Sequence, residues 1–270
     1  MKYINNVFLL IVFSVFFKIY AQDKSFIYEM RYKPNPNKDS IITDETILDI
    51  TKEVSVFRTT HDKASDSLKA KTGFGLGRKT RFENQFYIIK KLSSNTIQKV
   101  LQNIYSDIYL VNNNEKLDWK IFPEKSKLDK FDVQKAEVSY GGRKWTAWFT
   151  SDIPIQDGPY AFYGLPGLIV KIEDEEKNFY FSLTGIQNST GIIDYRSKGT
   201  AVDWPDFIKI ASNYYSDPFA PAKSFGAPIR VDDGQGNAVK PDMRKLTLKM
   251  QRDIRINNNP IELDKIIPYK

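Results

Sequence analysis

The stretch AEVSYGGRKWTAWF, residues 136–149, determines the fold more clearly than any other part of this sequence. Gly141-Gly142 predicts a two-residue turn, because both central positions of such a turn take positive φ angles. The chain then folds back on itself, so that Tyr140 pairs with Arg143, Val138 with Trp145 and Ala136 with Ala147. The side chains on one face are apolar: Ala136, Val138, Tyr140, Trp145, Ala147 and Phe149. The stretch therefore predicts a β-hairpin with one face in the core.

The opposite face of this hairpin is polar, with one exception. It carries Lys135, Glu137, Ser139, Lys144, Thr146 and, as the exception, Trp148. Two interpretations of this tryptophan stay open. Either another segment of the chain covers Trp148, or Trp148 is an exposed aromatic side chain that marks a binding surface.

A second hairpin is predicted downstream, where apolar and polar residues alternate from Leu168 to Glu173 and again from Phe179 to Leu183. A four-residue loop at Asp174–Lys177 would pair Ile172 with Phe179 and Val170 with Phe181, so that the apolar side chains meet on one face. The acidic run from Glu173 to Glu176 is interpreted as a solvated turn, with a cation site as the alternative.

The connection between the hairpins contains GPYAFYGLPGLI, residues 158–169. Its prolines lack a backbone donor, its glycines allow unusual conformations, and Gly-Leu-Pro-Gly suits a type II turn. Phe162 and Leu165 are apolar enough to predict that the loop packs against a sheet. The loop is either a rigid crossover or a binding loop on a rigid scaffold. The candidate binding or structural residues are Trp145, Trp148, Gly158, Pro159, Tyr160, Phe162, Gly164, Leu165, Pro166, Gly167, Leu168 and Ile169.

The hexapeptide of residues 164–169, GLPGLI, resembles the motif that names the GLPGLI family of exported proteins from Bacteroidota. Segments similar to that family are GRKWTAWF at 142–149, Ile153-Pro154, Asp157-Gly158-Pro159 and NNPIEL at 258–263. The resemblance is strongest over 119–186 and 258–263 and extends over most of 26–263, whereas 217–240 shares no family feature. That family has no established activity. The resemblance therefore implies a Gram-negative envelope protein, in the periplasm first and released to the medium second.

Residues 1–21 predict a secretory signal peptide. Lys2 supplies the positive n-region, Val7 to Phe17 the apolar h-region, and Ala21 the small residue after which cleavage is expected. No later apolar run is long enough for a membrane span, so the mature chain is expected to be soluble. The absence of cysteine excludes disulfides and an N-terminal lipid on a cysteine thioether.

The rest of the chain alternates short apolar runs with polar turns. Strands are predicted at 26–32, 46–50, 54–59, 86–91, 97–102, 104–111 and 119–122, and helices at 61–71, 203–215 and 241–256, the last being also compatible with a strand. Residues 217–240 are predicted to be irregular. The fold class is thus mainly β or α+β. We expect one domain over 22–270, with a curved antiparallel sheet or half-barrel and one or two packed helices.

The composition excludes several kinds of chemistry. With one histidine, His61, and no cysteine, zinc sites of His and Cys and cysteine nucleophiles are excluded. The loop at 73–80 lacks phosphate-loop spacing, and 232–237 lacks the ligand pattern of a calcium loop. No metal, cofactor or catalytic residue is predicted. A hydrolase that uses a carboxylate pair such as Asp152 and Asp157 is a minor alternative.

The net charge is +7, and it falls by two, to +5, once residues 1–21 are removed. The 33 acidic residues are interspersed among the basic ones, which gives no nucleic-acid signature. Two functions remain. The first is a periplasmic binding or carrier protein that binds a hydrophobic or peptide ligand with the aromatic loop, or an accessory protein of an outer-membrane system. The second is a protein-interaction or structural module of the envelope, with the loop as its contact surface.

Overall fold

The computed structural model describes residues 23–77, 85–91, 94, 96–103, 106–113, 115–189, 193–224, 226 and 228–270. The proposed signal peptide and its cleavage site lie outside these residues, as does part of the glycine-rich loop at 73–80. The described residues form a mainly β structure with one large sheet and a small two-stranded one. None of the helices in this part of the chain is both long and apolar enough to span a membrane.

Twelve strands form the large sheet. Their bounds are β1 Lys24–Tyr32, β2 Ile42–Ile50, β3 Val54–Thr59, β4 Tyr87–Lys91, β5 Thr96–Gln102, β6 Ile108–Asn112, β7 Lys120–Leu128, β8 Phe131–Tyr140, β9 Arg143–Thr150, β10 Leu168–Asp174, β11 Phe179–Asn188 and β12 Thr200–Val202. The small sheet pairs β13, Val231–Asp232, with β14, Ala238–Val239.

The large sheet consists of two antiparallel meanders joined at one seam. Its strand order is β12-β6-β5-β4-β3-β2-β1-β11-β10-β9-β8-β7. Strands β1 to β6 form the first meander and β7 to β11 the second, and β1 pairs with β11 where they meet. Only β12 runs parallel to its neighbour, β6, so the sheet is mixed.

The sheet is strongly curved. Lys99 of β5 and Tyr140 of β8 lie eight strand steps apart in the sheet order, which is about 38 Å in a flat sheet. Both side chains nevertheless reach the same carboxylate, that of Glu262. In the same way, the rings of Phe57 and Phe181, three strand steps apart, have centroids only 5.9 Å apart. The sheet is therefore a half-barrel with a concave, apolar face, and it does not close into a barrel.

Four helices accompany the sheet: α1 Thr60–Thr72, α2 Trp204–Ser216, α3 Ala220–Ser224 and α4 Met243–Ile256. Three of them begin at a side-chain cap, since Thr59, Asp203 and Asp242 accept backbone N–H bonds of the first turn. Helix α2 contacts β6 and α4, and its Phe207 and Ala211 are buried in a cluster with Leu101, Val111 and Ile267.

Most predicted elements are present. The first hairpin has the predicted register, with Tyr140 opposite Arg143 and positive φ angles at Gly141 and Gly142. The helix at 241–256 is present as α4. The strand predicted at 119–122 is longer, and 217–240 contains α3, β13 and β14 as well as irregular chain. Residues 104 and 105, the start of one predicted strand, lie outside the described residues.

The register predicted for the second hairpin is wrong by two residues. Ile172 lies opposite Phe181, and the loop is 175–178. The reason is Asp174, which is buried at the end of β10 and is not part of a solvated turn. Its carboxylate accepts the Phe179 N–H at 2.7 Å and pairs with Arg143. A shift of two preserves the side-chain alternation, so the apolar sets still meet on the concave face.

Candidate functional site

The loop between β9 and β10 fills the concave face of the sheet. Its Tyr160 and Phe162 are both completely buried. The ring of Phe162 lies against Trp145, with centroids 4.7 Å apart. Tyr160 lies edge-on to Phe57 of β3 and to Phe86, which precedes β4. The loop thus joins the two meanders across the concavity and forms part of the core.

Lys90 of β4 holds this loop from the opposite meander. Its ammonium donates to the carboxylate of Asp157, to the Gly158 carbonyl at 2.9 Å and to the Phe162 carbonyl at 3.2 Å. Burial lowers the pKa of Lys90, and the Asp157 carboxylate opposes that shift. Because all three N–H bonds are used inside the core, removing the loop would leave an unpaired buried cation.

Arg143 fixes the C-terminal segment, residues 258–263, beside the first hairpin. Its guanidinium donates to the Ile261 carbonyl at 3.0 Å, to the Asn259 side chain at 2.6 Å and to the Pro260 carbonyl at 2.9 Å. Its remaining terminal nitrogen, Nη1, pairs with Asp174 at 3.0 Å. Arg143 therefore joins the first hairpin, the end of β10 and the C-terminal segment.

Glu262 lies where the loop, the C-terminal segment and both meanders meet. Its Oε1 accepts from the hydroxyls of Tyr160 at 2.5 Å and Tyr140 at 2.9 Å, and its Oε2 from Lys99 Nζ at 2.8 Å. Asn113 in turn donates to the Tyr140 hydroxyl at 2.6 Å. We call these five residues the Glu262 network.

The Glu262 network is buried, charged and fully hydrogen-bonded. Burial alone would raise the pKa of Glu262, but Lys99 and the two tyrosine hydroxyls outweigh it and hold this pKa below its ordinary value. Burial and the nearby Glu262 charge raise the pKa of both tyrosines. The carboxylate stays ionised and the phenols stay neutral, so the network is suited to holding structure and not to exchanging protons.

The structure places the predicted site residues mainly in the core. The buried ones are Trp145, Gly158, Pro159, Tyr160, Phe162, Leu165, Gly167, Leu168 and Ile169. Gly164 and Pro166 are exposed, and Trp148 is half-buried. Of the suggested carboxylate pair, Asp157 is engaged by Lys90 and Asp152 is exposed. No group of three or more potential metal ligands occurs among the residues that the structure describes.

Sequence reasoning missed Lys90 and Lys99, although a signal was present. In a strand every second side chain shares a face, which puts Lys90 with Ile88 and Lys99 with Ile97 and Leu101. These apolar neighbours are buried. A lysine on the apolar face of a strand therefore indicates a buried partner, here Asp157 and Glu262.

Trp148 belongs to a row of side chains on the outer face of the sheet. It pairs with Lys135 of β8 on one side and Lys171 of β10 on the other. The ammonium of Lys135 lies over the Phe122 ring and that of Lys171 over the Tyr180 ring, at 5.3 and 5.4 Å from the centroids. We call Phe122, Lys135, Trp148, Lys171, Tyr180 and Arg31 the outer-face row. It is partly solvent-accessible, and its aromatic rings alternate with cations.

A separate cleft of about 360 Å³ opens between α1 and the strand ends beside it. Its lining is polar, with two carboxylates, two cations, hydroxyls and amides. The lining residues are Ser25, Asp49, Arg58, Lys63, Ser67, Gln187, Asn188, Ser189, Ile193 and Asp194. We call it the polar cleft.

Buried charges form the wall of the polar cleft. The side chains of Arg58 and Asp49 are each 1% exposed and pair at 3.2 Å. Arg58 also donates to Asp66 at 2.6 Å, and Lys63 donates to Asp49 at 2.8 Å. The buried Nε of Arg58 has no hydrogen-bond partner among the residues described. That nitrogen is also closed to solvent, so it faces the protein interior and not the open cleft.

Comparisons with known proteins give a partial family match and a fold likeness. A family model described as a protein of unknown function (Porph_ging) matches residues 91–171, from the end of β4 into β10. No curated protein matches the chain significantly. The partial match covers β5 to β9, which lie toward the two edges of the sheet, and the loop that fills the concave face.

Two solved structures titled PNGF-II, in space groups C2 and P21, are similar to this chain with TM-scores of 0.51 and 0.50. They are 16% and 17% identical to it, and each match covers 70% of this chain and 32% or 33% of theirs. The chain thus spans about a third of the PNGF-II chains, and the likeness is one of fold alone. A LolA superfamily protein, NE2245 from Nitrosomonas europaea, matches with a TM-score of 0.27 at 10% identity, over 62% of this chain and 86% of that one.

Proposed function

We propose that this chain is an exported, non-catalytic binding protein of a bacterial envelope, active in the periplasm, and that it holds a small polar ligand in the polar cleft. Export is supported by the signal-peptide pattern of residues 1–21 and by the GLPGLI resemblance. The observation that carries the binding role is the polar cleft itself, a space of about 360 Å³ lined almost entirely by charged and polar side chains.

The filled concave face supports a polar ligand over a hydrophobic one. The side chains once expected to line an apolar pocket, such as Tyr160, Phe162 and Leu165, contact the core and not an open space. The buried Lys90–Asp157 and Lys99–Glu262 pairs hold them there. A hydrophobic cargo in the concavity would have to displace both ionic contacts, at several kcal/mol for each uncompensated charge.

The charges of the cleft suit a ligand that carries both signs. Arg58 and Lys63 both pair with the buried Asp49. The Lys63 side chain is 40% exposed and Asp194 is half-buried, so one cation and one carboxylate of the lining remain within reach of a ligand. A volume of about 360 Å³ lies at the lower end of ligand sites in proteins. We therefore propose a free amino acid or a short peptide as the ligand class, with its ammonium toward Asp194 and its carboxylate toward Lys63.

A cleft-filling substitution tests this proposal. Ser67→Trp places an indole in the cleft from α1 without removing a buried charge, and Ala70→Trp places one on an exposed position of the same helix. We expect an amino acid or dipeptide at about 100 times its Kd to raise the unfolding midpoint of the wild type and Ala70→Trp by about 5–10 °C. The midpoint of Ser67→Trp should not respond.

Native mass spectrometry of the chain from its own host gives an independent readout. A bound mass in the wild type and Ala70→Trp, absent in Ser67→Trp, supports the proposal and identifies the ligand. A bound mass that Ser67→Trp retains refutes the cleft as the site. A bare mass together with no thermal response across the panel refutes small-ligand binding.

A second candidate, a protein-interaction module of the envelope, is favoured by the outer-face row. Its aromatic rings are half-exposed and flanked by cations, as in the polar rims of many interfaces. In that case Trp148→Ser should abolish stoichiometric co-purification of one envelope protein, whereas Thr146→Ser on the same face should leave it unchanged. An identical yield from both variants would count against this candidate.

A further inference from the structure

Helix α4 has two unlike faces. Its inward side carries Met243, Leu246, Met250 and Ile254, of which Ile254 is buried. Gln251 donates to the Tyr215 carbonyl at 3.0 Å, which fastens α4 to the end of α2. The contacts with the rest of the protein therefore use one side of this helix and leave the other side in solvent.

The outward side of α4 is strongly basic. At 100° per residue its exposed side chains fall within an arc of about 140°. They are Arg244, Lys245, Leu248, Lys249, Arg252 and Arg255. No acidic residue lies on this arc, and Leu248, near its middle, is 57% exposed. We call these six residues the basic face.

The charges of the basic face are largely uncompensated by the residues that the structure describes. Across the described part of the chain, Arg244, Lys249, Arg252 and Arg255 take part in no ion pair, and Lys245 reaches Asp242 only at 3.8 Å. Lys245 and Lys249 are four residues apart, and Lys249 and Arg252 are three apart, spacings at which like charges repel on a helix. A solvated helix ordinarily alternates its charges at these spacings. The basic face thus carries an electrostatic cost that an anionic partner would remove.

The geometry of the basic face favours an extended anionic surface over a single anion. The helix is about 21 Å long, and its five cations are spread along its whole length. Leu248 protrudes among these cations. This arrangement suits a lipid bilayer, in which charged headgroups cover an apolar interior. Each Lys or Arg near an anionic lipid surface contributes about 1 kcal/mol to binding.

We propose that the basic face of α4 docks the protein on a bilayer that contains anionic phospholipid. This inference uses a different surface from the polar cleft and does not depend on the ligand proposed there. Docking would place the protein against a membrane leaflet with α4 parallel to it and without any inserted segment.

Vesicle co-sedimentation tests the proposal. The chain from residue 22 onward should bind phosphatidylglycerol–phosphatidylcholine vesicles and not pure phosphatidylcholine ones, and the binding should weaken as added salt shortens the Debye length. Lys249→Gln with Arg252→Gln removes two cations and should weaken binding about thirtyfold. Lys125→Gln with Lys127→Gln, two exposed lysines on the edge strand β7, makes the same change in net charge and should leave binding within about twofold of the wild type.

Equal thermal midpoints in the two double variants would show that both remain folded. The proposal is overturned by equal binding to both vesicle types, by no binding at low salt, or by equal losses in the two variants. It is also overturned if inorganic phosphate, at matched ionic strength, displaces the protein, because the face would then bind isolated phosphate. Failure here would leave the cleft experiments unaffected.

Discussion

Glu262→Ala lowers the free energy of unfolding by about 3–5 kcal/mol, because it leaves a buried cation and two buried hydroxyls without their acceptor. The carboxylate accepts from Lys99, Tyr140 and Tyr160, and each of these residues belongs to a different part of the fold. Urea denaturation of the wild type and the variant measures the difference. Glu175→Ala, in the exposed turn after β10, serves as the control and should change stability by less than about 1 kcal/mol.

The pH dependence of stability tests the same network without truncating the side chain. Since the folded pKa of Glu262 lies below its ordinary value of 4.5, its ionisation stabilises the fold fully above about pH 4.5. That contribution is lost as the pH falls through the folded pKa. Glu262→Gln cannot ionise, so its stability deficit relative to the wild type should shrink as the pH falls below about 4.5. A deficit that stays constant with pH would contradict the assigned role of the charge.

Gly167→Ala should lower the free energy of unfolding by about 4 kcal/mol or more, the second large effect that we expect. Gly167 has φ of 154°, and a Cβ there would lie 2.0 Å from the carbonyl oxygen of Thr150 and 2.6 Å from its carbonyl carbon. Both atoms are backbone atoms at the end of β9, so no rotamer change relieves the clash. The same denaturation experiment measures the loss, and the variant is expected to accumulate as aggregate when produced at 37 °C.

Gly164→Ala provides a matched control within the same hexapeptide. Gly164 has φ of 91°, but no atom lies within 4 Å of the position of its Cβ. Its substitution therefore adds backbone strain of about 1–2 kcal/mol and no collision. If the two variants were equally stable, the tight approach of the loop to β9 would not be the reason for the second glycine of the motif.

The parts of the fold that could be predicted from sequence are those specified locally. Gly141-Gly142 determines a turn, and the turn determines a register, so the first hairpin was predicted pair by pair and is confirmed. Asp203 likewise predicts the start of a helix, and α2 begins directly after it. The curved sheet or half-barrel was also predicted correctly, but its concave shape rested on an analogy with other exported carrier proteins and not on particular residues.

The parts that sequence reasoning missed depend on contacts between distant residues. The register of the second hairpin was mistaken because Asp174 was interpreted as a turn residue, whereas Arg143, 31 positions away, holds it in a buried strand end. The partner of Lys99 is 163 positions away. The alternation of side chains along a strand shows that such a lysine lies on the apolar face. It does not reveal which carboxylate compensates the charge.

The seam between β1 and β11 has a consequence for the rate at which the protein folds. Lys24 and Asn188, which pair at one end of this seam, are 164 positions apart. During synthesis, β1 can pair only with β2 until β11 has been made. The contacts that close the concave face form later still, because they need Glu262. Such a topology has a high contact order, so folding is expected in milliseconds to seconds and not in microseconds. The native sheet is therefore expected to form late and cooperatively, after β11 and Glu262 have been synthesised.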